Sequence, residues 1–142
     1  MSNPINESGV ALEDALESFL KTKSYSYKVH PKGRSGTKID FIVKFDGNPV
    51  YIECHNQNVG GSVEEKLPHK VYKYYEDWKP KELFLVRGNH KISKRVSRHI
   101  QFLEQMTEMK VHVLTLSEMI GYLSTDGDLP KDVLPSDLKE FI

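Results

Sequence analysis

Two runs of alternating residues flank an Asp-Gly pair, and this feature most narrows the folds open to the chain. The runs cover residues 38–45 (KIDFIVKF) and 49–55 (PVYIECH). An Asp-Gly pair between alternating apolar runs is a strong signal for a β-hairpin. We therefore expect two antiparallel strands joined by a tight turn at Asp46 and Gly47.

The hairpin brings carboxylates of its two strands together. A two-residue loop places Asp40 opposite Glu53, whereas a four-residue loop places Asp40 opposite His55. In both registers all three side chains are expected on one sheet face, because side chains alternate with a period of two. Opposed Cβ atoms lie about 5 Å apart, so two carboxylates there destabilise the sheet unless a cation lies between them. We predict that Asp40 and Glu53 bind Mg²⁺, for which Mn²⁺ can substitute. The alternative is a solvated face whose acids bind nothing.

The rest of the chain predicts the element order α-β-β-β-α-β-α-β-α. A helix over 9–21 and a strand near 25–29 precede the hairpin. After it we expect helices at 68–78, 91–109 and 116–123 and strands at 82–87 and 110–114. A β-meander followed by strand–helix alternation predicts an α/β fold with a mixed central sheet and helices on both faces. We assign 1–125 to one domain and 126–142 to an acidic, proline-containing C-terminal extension.

Charge is unevenly distributed along the chain. The 20 Lys and Arg balance the 20 Asp and Glu, yet 17 of the basic residues and only 8 acids fall within residues 21–100. A basic middle indicates a polyanionic partner such as nucleic acid, or else a solvated surface. The single cysteine excludes a disulfide framework. No apolar run approaches the roughly 18 residues of a membrane span, and no secretory signal pattern opens the sequence. We therefore expect a soluble cytoplasmic protein without membrane contacts.

Two basic segments are candidates for DNA contacts. The loop HPKGRSGTK precedes the Asp40 strand, and its glycines would let the backbone approach a phosphodiester. The helix expected over 91–109 carries cations in its first half. Cations there are repelled by the positive end of the helix dipole, which indicates a use such as phosphate binding. The candidate DNA-contacting residues are Lys32, Arg34, Lys38, Lys94, Arg95 and Arg98. An ordinary mobile loop and a polar outer helix face are the alternatives.

The acidic residues and the element order resemble the PD-(D/E)XK nuclease superfamily, with its restriction-endonuclease-like αβββαβ core. The family pattern is an Asp on the second strand and Glu-x-Lys on the third, and here Asp40 precedes Glu53-Cys54-His55. Gly9-Val-Ala-Leu-Glu13 is similar to the Gly-x-x-x-Glu of archaeal Holliday junction resolvases and several restriction enzymes. The segment 57–68 is similar to a Gln…Glu-Lys-x-Pro stretch in some restriction and phage-type nucleases.

The resemblance implies a Mg²⁺-dependent DNA endonuclease. Asp40 and Glu53 would bind the metal, Glu13 would complete its surroundings, and Gln57 would orient the substrate or His55. Site-specific double-strand cutting of the homing or restriction type is expected, and a Holliday junction resolvase is an alternative. The implied partners are double-stranded or branched DNA and a second copy of the chain in a homodimer.

The chain departs from the family pattern at position 55, where His replaces Lys. His55 can accept a proton or donate a hydrogen bond near neutral pH, and could perform the role of the missing Lys. Lys66 could reach the phosphate instead, because relocated lysines occur in this superfamily. In a third alternative the site is degenerate, and the protein is a DNA-binding module without catalysis.

Overall fold

The computed structural model describes residues 9–55, 66–88 and 91–124, which form a five-stranded sheet between helices. The strands are β1 (Ser26–Val29), β2 (Phe41–Phe45), β3 (Asn48–His55), β4 (Glu82–Arg87) and β5 (Lys110–Thr115). The helices in these ranges are α1 (Gly9–Thr22), α2 (Leu67–Trp78), α3 (Lys94–Thr107) and α4 (Leu116–Ser124). The strands lie in chain order, with β1, β2 and β3 antiparallel and β3, β4 and β5 parallel. The predicted α/β fold with a mixed sheet is confirmed.

A two-residue turn fixes the register of β2 against β3. Asp46 and Gly47 have φ angles of 51° and 81°, and positive φ at both central residues is what a type I′ hairpin turn requires. The strands pair from Phe45 with Asn48 onwards. The shorter of the two loops considered from the sequence is therefore correct, and the four-residue loop is wrong.

Pairing of β1 with β2 brings His30 to the level of Asp40 in the sheet. Val29 pairs with Phe41, and beyond this pair the N–H of His30 donates to the carbonyl of Asp40 at 2.9 Å. The β2–β3 register, in which Phe41 pairs with Ile52, continues to the same level. A single row across three strands therefore contains His30, Asp40 and Glu53.

The helices cover one apolar layer on each face of the sheet. On one face α1 and α4 bury Leu12, Leu16, Leu20, Met119 and Leu123 against Phe41, Val43, Ile52, Phe84 and Val86. On the other face α2 and α3 bury Leu67, Val71, Tyr74, Val96, Ile100 and Leu103 against Leu83, Leu85, Val111 and Val113. None of the helices in the described ranges is long and apolar enough to cross a lipid bilayer.

The alternation of side chains between the two faces of the sheet breaks at Asp40. Phe41 belongs to the α1 layer and Ile39, two residues earlier, belongs to the α2 layer. In a regular strand these two side chains would lie on the same face. The chain therefore bends at Asp40, immediately before β2 begins.

Helix α3 is shorter than its sequence pattern indicates. It begins at Lys94 after Ser93, whose side chain accepts the N–H of Val96 at 3.3 Å, and it ends at Thr107. Met106 is 62% exposed, whereas Met109 is buried. Glu108 has a left-handed backbone with φ of 62°, which ends the helix and lets Met109 enter the core.

Candidate active site

Two hydrogen bonds join the ends of β2 and β3 at the acidic residues. The Oδ2 atom of Asp40 accepts the N–H of Cys54 at 2.7 Å. The N–H of Asp40 in turn donates to Oε1 of Glu53 at 3.2 Å. The Cys54 side chain is buried in the α1 layer, as a small core residue. The backbone of β3 therefore orients Asp40, and the backbone of Asp40 orients Glu53.

The Oδ1 atom of Asp40 faces His30, which follows β1, and Glu13, which lies on α1. Nε2 of His30 lies 2.7 Å from Oε1 of Glu13 and 3.6 Å from Oδ1 of Asp40. Burial and the neighbouring charge of Asp40 raise the pKa of Glu13, and its hydrogen bond with His30 opposes this rise. One ligand atom from each of these three residues lies within 4.8 Å of the others.

Glu53 is directed toward α2 instead. Nζ of Lys70 lies 3.8 Å from Oε2 of Glu53, and the Tyr74 hydroxyl donates a hydrogen bond to the same carboxylate. Glu53 is only 5% exposed. Burial, followed by the charge of Asp40, raises the pKa of Glu53 to about 8, against the hydrogen bond from Tyr74 and the charge of Lys70.

Asp40 and Glu53 line the same cleft, although the chain bends at Asp40. Because the chain bends there, the Asp40 carboxylate reaches the N–H of Cys54 and the α1 side, while Glu53 reaches α2. The carboxylates are still close enough for the charge of Asp40 to raise the pKa of Glu53.

A cleft of about 410 Å³ opens beside these carboxylates. Its lining residues are Ser35, Gly36, Thr37, Lys38, Asp40, Glu53, Lys70, Lys73 and Tyr74. One wall is the loop that precedes β2, and the other is α2. Both walls carry lysines and the floor carries carboxylates, an arrangement that suits a cation together with a phosphate.

Asp77 of α2 attaches the loop to the helix. Its Oδ1 atom accepts the Ser35 hydroxyl at 2.6 Å and the Ser35 N–H at 3.3 Å. A Cβ atom at Gly33 would lie only 2.3 Å from Oδ2 of Asp77, so this close approach requires glycine. The hydrogen bonds from Ser35 lower the pKa of Asp77, and its charge holds the loop beside the cleft.

A family model described as a PD-(D/E)XK nuclease superfamily domain matches residues 5–125. The chain belongs to the PD-(D/E)XK nuclease superfamily. No curated protein matches the chain. Similar solved structures include AF1548, a protein of unknown function, with a TM-score of 0.48 and 16% identity over 89% of this chain and 62% of that chain. Another is SfsA of Pyrococcus furiosus in complex with Ca²⁺, with a TM-score of 0.42 and 14% identity over 74% of this chain and 54% of that chain. This chain thus spans less than two thirds of either structure.

PD-(D/E)XK nucleases typically use divalent metal ions, and the donor atoms of this site suit one. Glu13, His30 and Asp40 offer two carboxylates and an imidazole within 4.8 Å of one another. Glu53 adds a fourth potential donor, linked to Asp40 through the Asp40 N–H. Oxygen-rich sets of this kind bind Mg²⁺ and Mn²⁺, and the imidazole also suits transition metals.

The candidates for the superfamily lysine lie at different distances along the chain from Glu53. His55 is half-buried at the end of β3, in register with Arg87 of β4. Lys66 is exposed immediately before α2, and Gln57 lies outside the described residues. The cation beside Glu53 is Lys70, one helical turn after Lys66. Lys70 was not among the residues predicted from the sequence, although Pro68 at the start of a helix places Lys66 and Lys70 on the same helix face.

The six basic candidates occupy two exposed segments. Lys32, Arg34 and Lys38 belong to the loop that Asp77 anchors, and Lys38 lines the cleft. Lys94, Arg95 and Arg98 lie in the first turns of α3. Because α3 follows the C-terminal end of β4, this second segment lies at the sheet edge where β3 also ends at His55.

We predict that Glu53→Gln stabilises the metal-free protein at alkaline pH. The folded-state pKa of Glu53, about 8, exceeds its ordinary value of 4.5, so the unfolded chain loses this proton first and stability falls as pH rises between the two values. The substitution removes this decline and should raise the free energy of unfolding at pH 9 by at least about 1 kcal/mol. Urea denaturation at pH 5, 7 and 9 in a chelator measures the effect.

Glu76→Gln is the matched control, because Glu76 is an exposed carboxylate on α2. We expect its stability to follow the wild-type pH dependence. Parallel curves for Glu53→Gln and the wild type would contradict the raised pKa.

Proposed function

We propose that this protein is a divalent-metal-dependent DNA endonuclease that hydrolyses phosphodiester bonds. The observation that carries the proposal is the acidic cleft, in which Asp40 and Glu53 are joined through backbone N–H groups and Lys70 lies beside Glu53. The chain belongs to a nuclease superfamily, which supports a nuclease function for this cleft. Cytoplasmic location is part of the same proposal.

In this proposal Asp40 and Glu53 bind the metal, and Glu13 completes its surroundings. The metal, when bound, stabilises negative charge on the phosphoryl group and activates water. Asp40 is oriented for this role by the Cys54 N–H, and Glu53 by the Asp40 N–H and the Tyr74 hydroxyl. Fixed ligands avoid reorganisation during the reaction, which makes their electrostatic effect larger.

Lys70 is our candidate for the role of the superfamily lysine. Its ammonium group lies 3.8 Å from Oε2 of Glu53 and lines the cleft, so it can contact a phosphate oxygen there. Lys66 immediately precedes this helix, one turn before Lys70, and His55 follows Glu53 by two residues on β3. These two residues remain the alternatives from the sequence, together with Gln57 as a residue that orients substrate.

The two basic segments are proposed to bind the DNA backbone on either side of the cleft. Lysines and arginines that contact phosphates release counterions, which gives affinity without sequence selectivity. Lys32, Arg34 and Lys38 would bind DNA along the loop, and the basic residues of α3 along the sheet edge. The latter are Lys94, Arg95 and Arg98.

We further propose site-specific cutting of double-stranded DNA by a homodimer, of the restriction or homing type. Two-fold symmetry would present one cleft to each strand. A Holliday junction resolvase uses the same chemistry on branched DNA. The substitution of His55 for the superfamily lysine favours a second candidate, a DNA-binding module without catalysis. The position of Lys70 beside Glu53 favours the enzyme.

We predict that the wild-type protein cleaves supercoiled or branched DNA with Mn²⁺ or Mg²⁺ and that Asp40→Asn lowers the rate at least about 100-fold. Asparagine keeps a hydrogen-bond acceptor for the Cys54 N–H but loses the charge that binds the cation. DNA binding in a chelator should survive the substitution. Gel assays of nicking, linearisation and binding measure these effects. Binding without cleavage in either metal would replace the enzyme with the binding module.

We predict that Lys70→Ala lowers cleavage by about 10²–10³-fold, because it removes the positive charge that is proposed to contact the reacting phosphate. Lys73→Ala is the matched control, since Lys73 lines the same cleft from the same helix, and we expect a change below about fivefold. Single-turnover rates at saturating protein separate this effect from DNA affinity. If His55→Ala or Lys66→Ala is severe and Lys70→Ala is mild, the assignment of Lys70 is wrong.

We predict that joint charge reversal of Arg95 and Arg98 to Glu weakens binding to all DNA sequences equally. It should also flatten the dependence of log affinity on log salt by about two or more units, through loss of two phosphate contacts. Fluorescence anisotropy from 50 to 200 mM salt measures the slope. An unchanged slope would place both arginines on a solvated face outside the DNA path.

A further inference from the structure

His30 occupies a strained position beside the acidic residues, although neither the sequence pattern nor the proposed reaction requires it. Its backbone has a φ of 51°, a left-handed conformation that is costly for residues other than glycine. Its N–H is fixed by the Asp40 carbonyl at 2.9 Å. This conformation directs the imidazole toward Glu13 and Asp40.

The Nε2 atom of His30 is positioned as a third donor beside two carboxylates. Its distances of 2.7 Å to Oε1 of Glu13 and 3.6 Å to Oδ1 of Asp40 lie on either side of the separation that adjacent ligands adopt around one ion. With metal–ligand bonds of about 2.1 Å, adjacent ligands of an octahedral ion lie about 3.0 Å apart and opposite ones about 4.2 Å. Movements of a few tenths of an ångström would bring all three atoms into one coordination sphere.

The identity of the donors determines which ion such a site prefers. Carboxylates alone suit Mg²⁺, Ca²⁺ and Mn²⁺, whereas imidazole nitrogen suits transition metals. A site that contains one imidazole and two carboxylates therefore favours ions that accept both donor types. Mg²⁺, expected from the carboxylates of the sequence pattern, gains little from the nitrogen.

We propose that His30 is a metal ligand, acting with Glu13 and Asp40, and that it makes the site selective for Mn²⁺ over Mg²⁺. This inference rests on the proposed function and deepens it, because it specifies the class of ion that the endonuclease uses. Part of the His30 side chain is exposed, so an ion can enter from solvent. Glu53, which the proposed function also assigns to the metal, is held by Lys70 and Tyr74 on the α2 side of the same cleft.

The test measures metal binding rather than cleavage. His30→Asn is the informative variant, because Asn tolerates a left-handed backbone but carries no imidazole. We expect wild-type protein to bind Mn²⁺ at least about tenfold more tightly than Mg²⁺ in titrations followed by the electron paramagnetic resonance of free Mn²⁺, with Mg²⁺ as competitor. In His30→Asn the affinity for Mn²⁺ should fall about 10–100-fold and that for Mg²⁺ by less than about threefold.

A spectroscopic signature separates ligation from a structural effect. Electron spin-echo envelope modulation of bound Mn²⁺ should contain the ¹⁴N frequencies of a coordinated imidazole in the wild type, and these should disappear in His30→Asn. His112→Asn is the matched control, because Nε2 of His112 lies 3.1 Å from Oε1 of Glu82, a similar pair on β5 and β4. This control should keep both the affinity and the ¹⁴N signal.

The outcomes distinguish this inference from the proposed function. A wild-type protein that binds Mn²⁺ without ¹⁴N modulation, or that binds Mg²⁺ equally well, would overturn the role of His30 while leaving metal-dependent cleavage intact. A protein that binds neither ion and cleaves no DNA would overturn both. Loss of the ¹⁴N signal in His30→Asn, with residual weak Mn²⁺ binding, supports the role of His30.

Discussion

The two-residue turn at Asp46 and Gly47 fixes the register on which the site depends. Because Phe45 pairs with Asn48, the backbone of Asp40 lies at the level of Glu53 and can donate to its carboxylate. A loop two residues longer would shift this pairing and separate the two groups. The local preference of an Asp-Gly pair for positive φ thus determines the distance between acidic residues six positions away from the turn on each strand.

The site concentrates negative charge where the sheet offers few positive side chains. Glu13, Asp40 and Glu53 come from three different elements, and backbone N–H groups stabilise two of them. Lys70 and His30 provide the side-chain cations or potential cations at the two ends of the group. Burial first, and the charge of Asp40 second, raise the pKa of Glu53, so this compensation does not fully offset the cost of its ionisation. A divalent ion would complete it, and its binding would release a proton from Glu53 near neutral pH.

Local signals explain which parts of the structure could be predicted. The hairpin and the strand–helix order follow from turn chemistry and periodicity, and the two-residue loop correctly places Asp40 beside Glu53. The bend at Asp40 could not be predicted, because it depends on Ile39 packing under α2. His30 was not recognised because the connection of β1 to β2 has no defined turn type, so the sequence does not fix their register. The position of Lys70 beside Glu53 could not be predicted, because it depends on how α2 packs on the sheet.

The attachment of the loop to Asp77 has a mechanical consequence. Ser35 and Lys70 lie on opposite walls of the cleft, yet Asp77 and Lys70 belong to the same rigid helix, two turns apart. The loop is continuous at its two ends with β1 and β2, so the hydrogen bonds from Ser35 to Asp77 connect α2 to the sheet through the loop. Separation of the two walls would break these hydrogen bonds, so the width of the cleft is set by contacts within the protein itself.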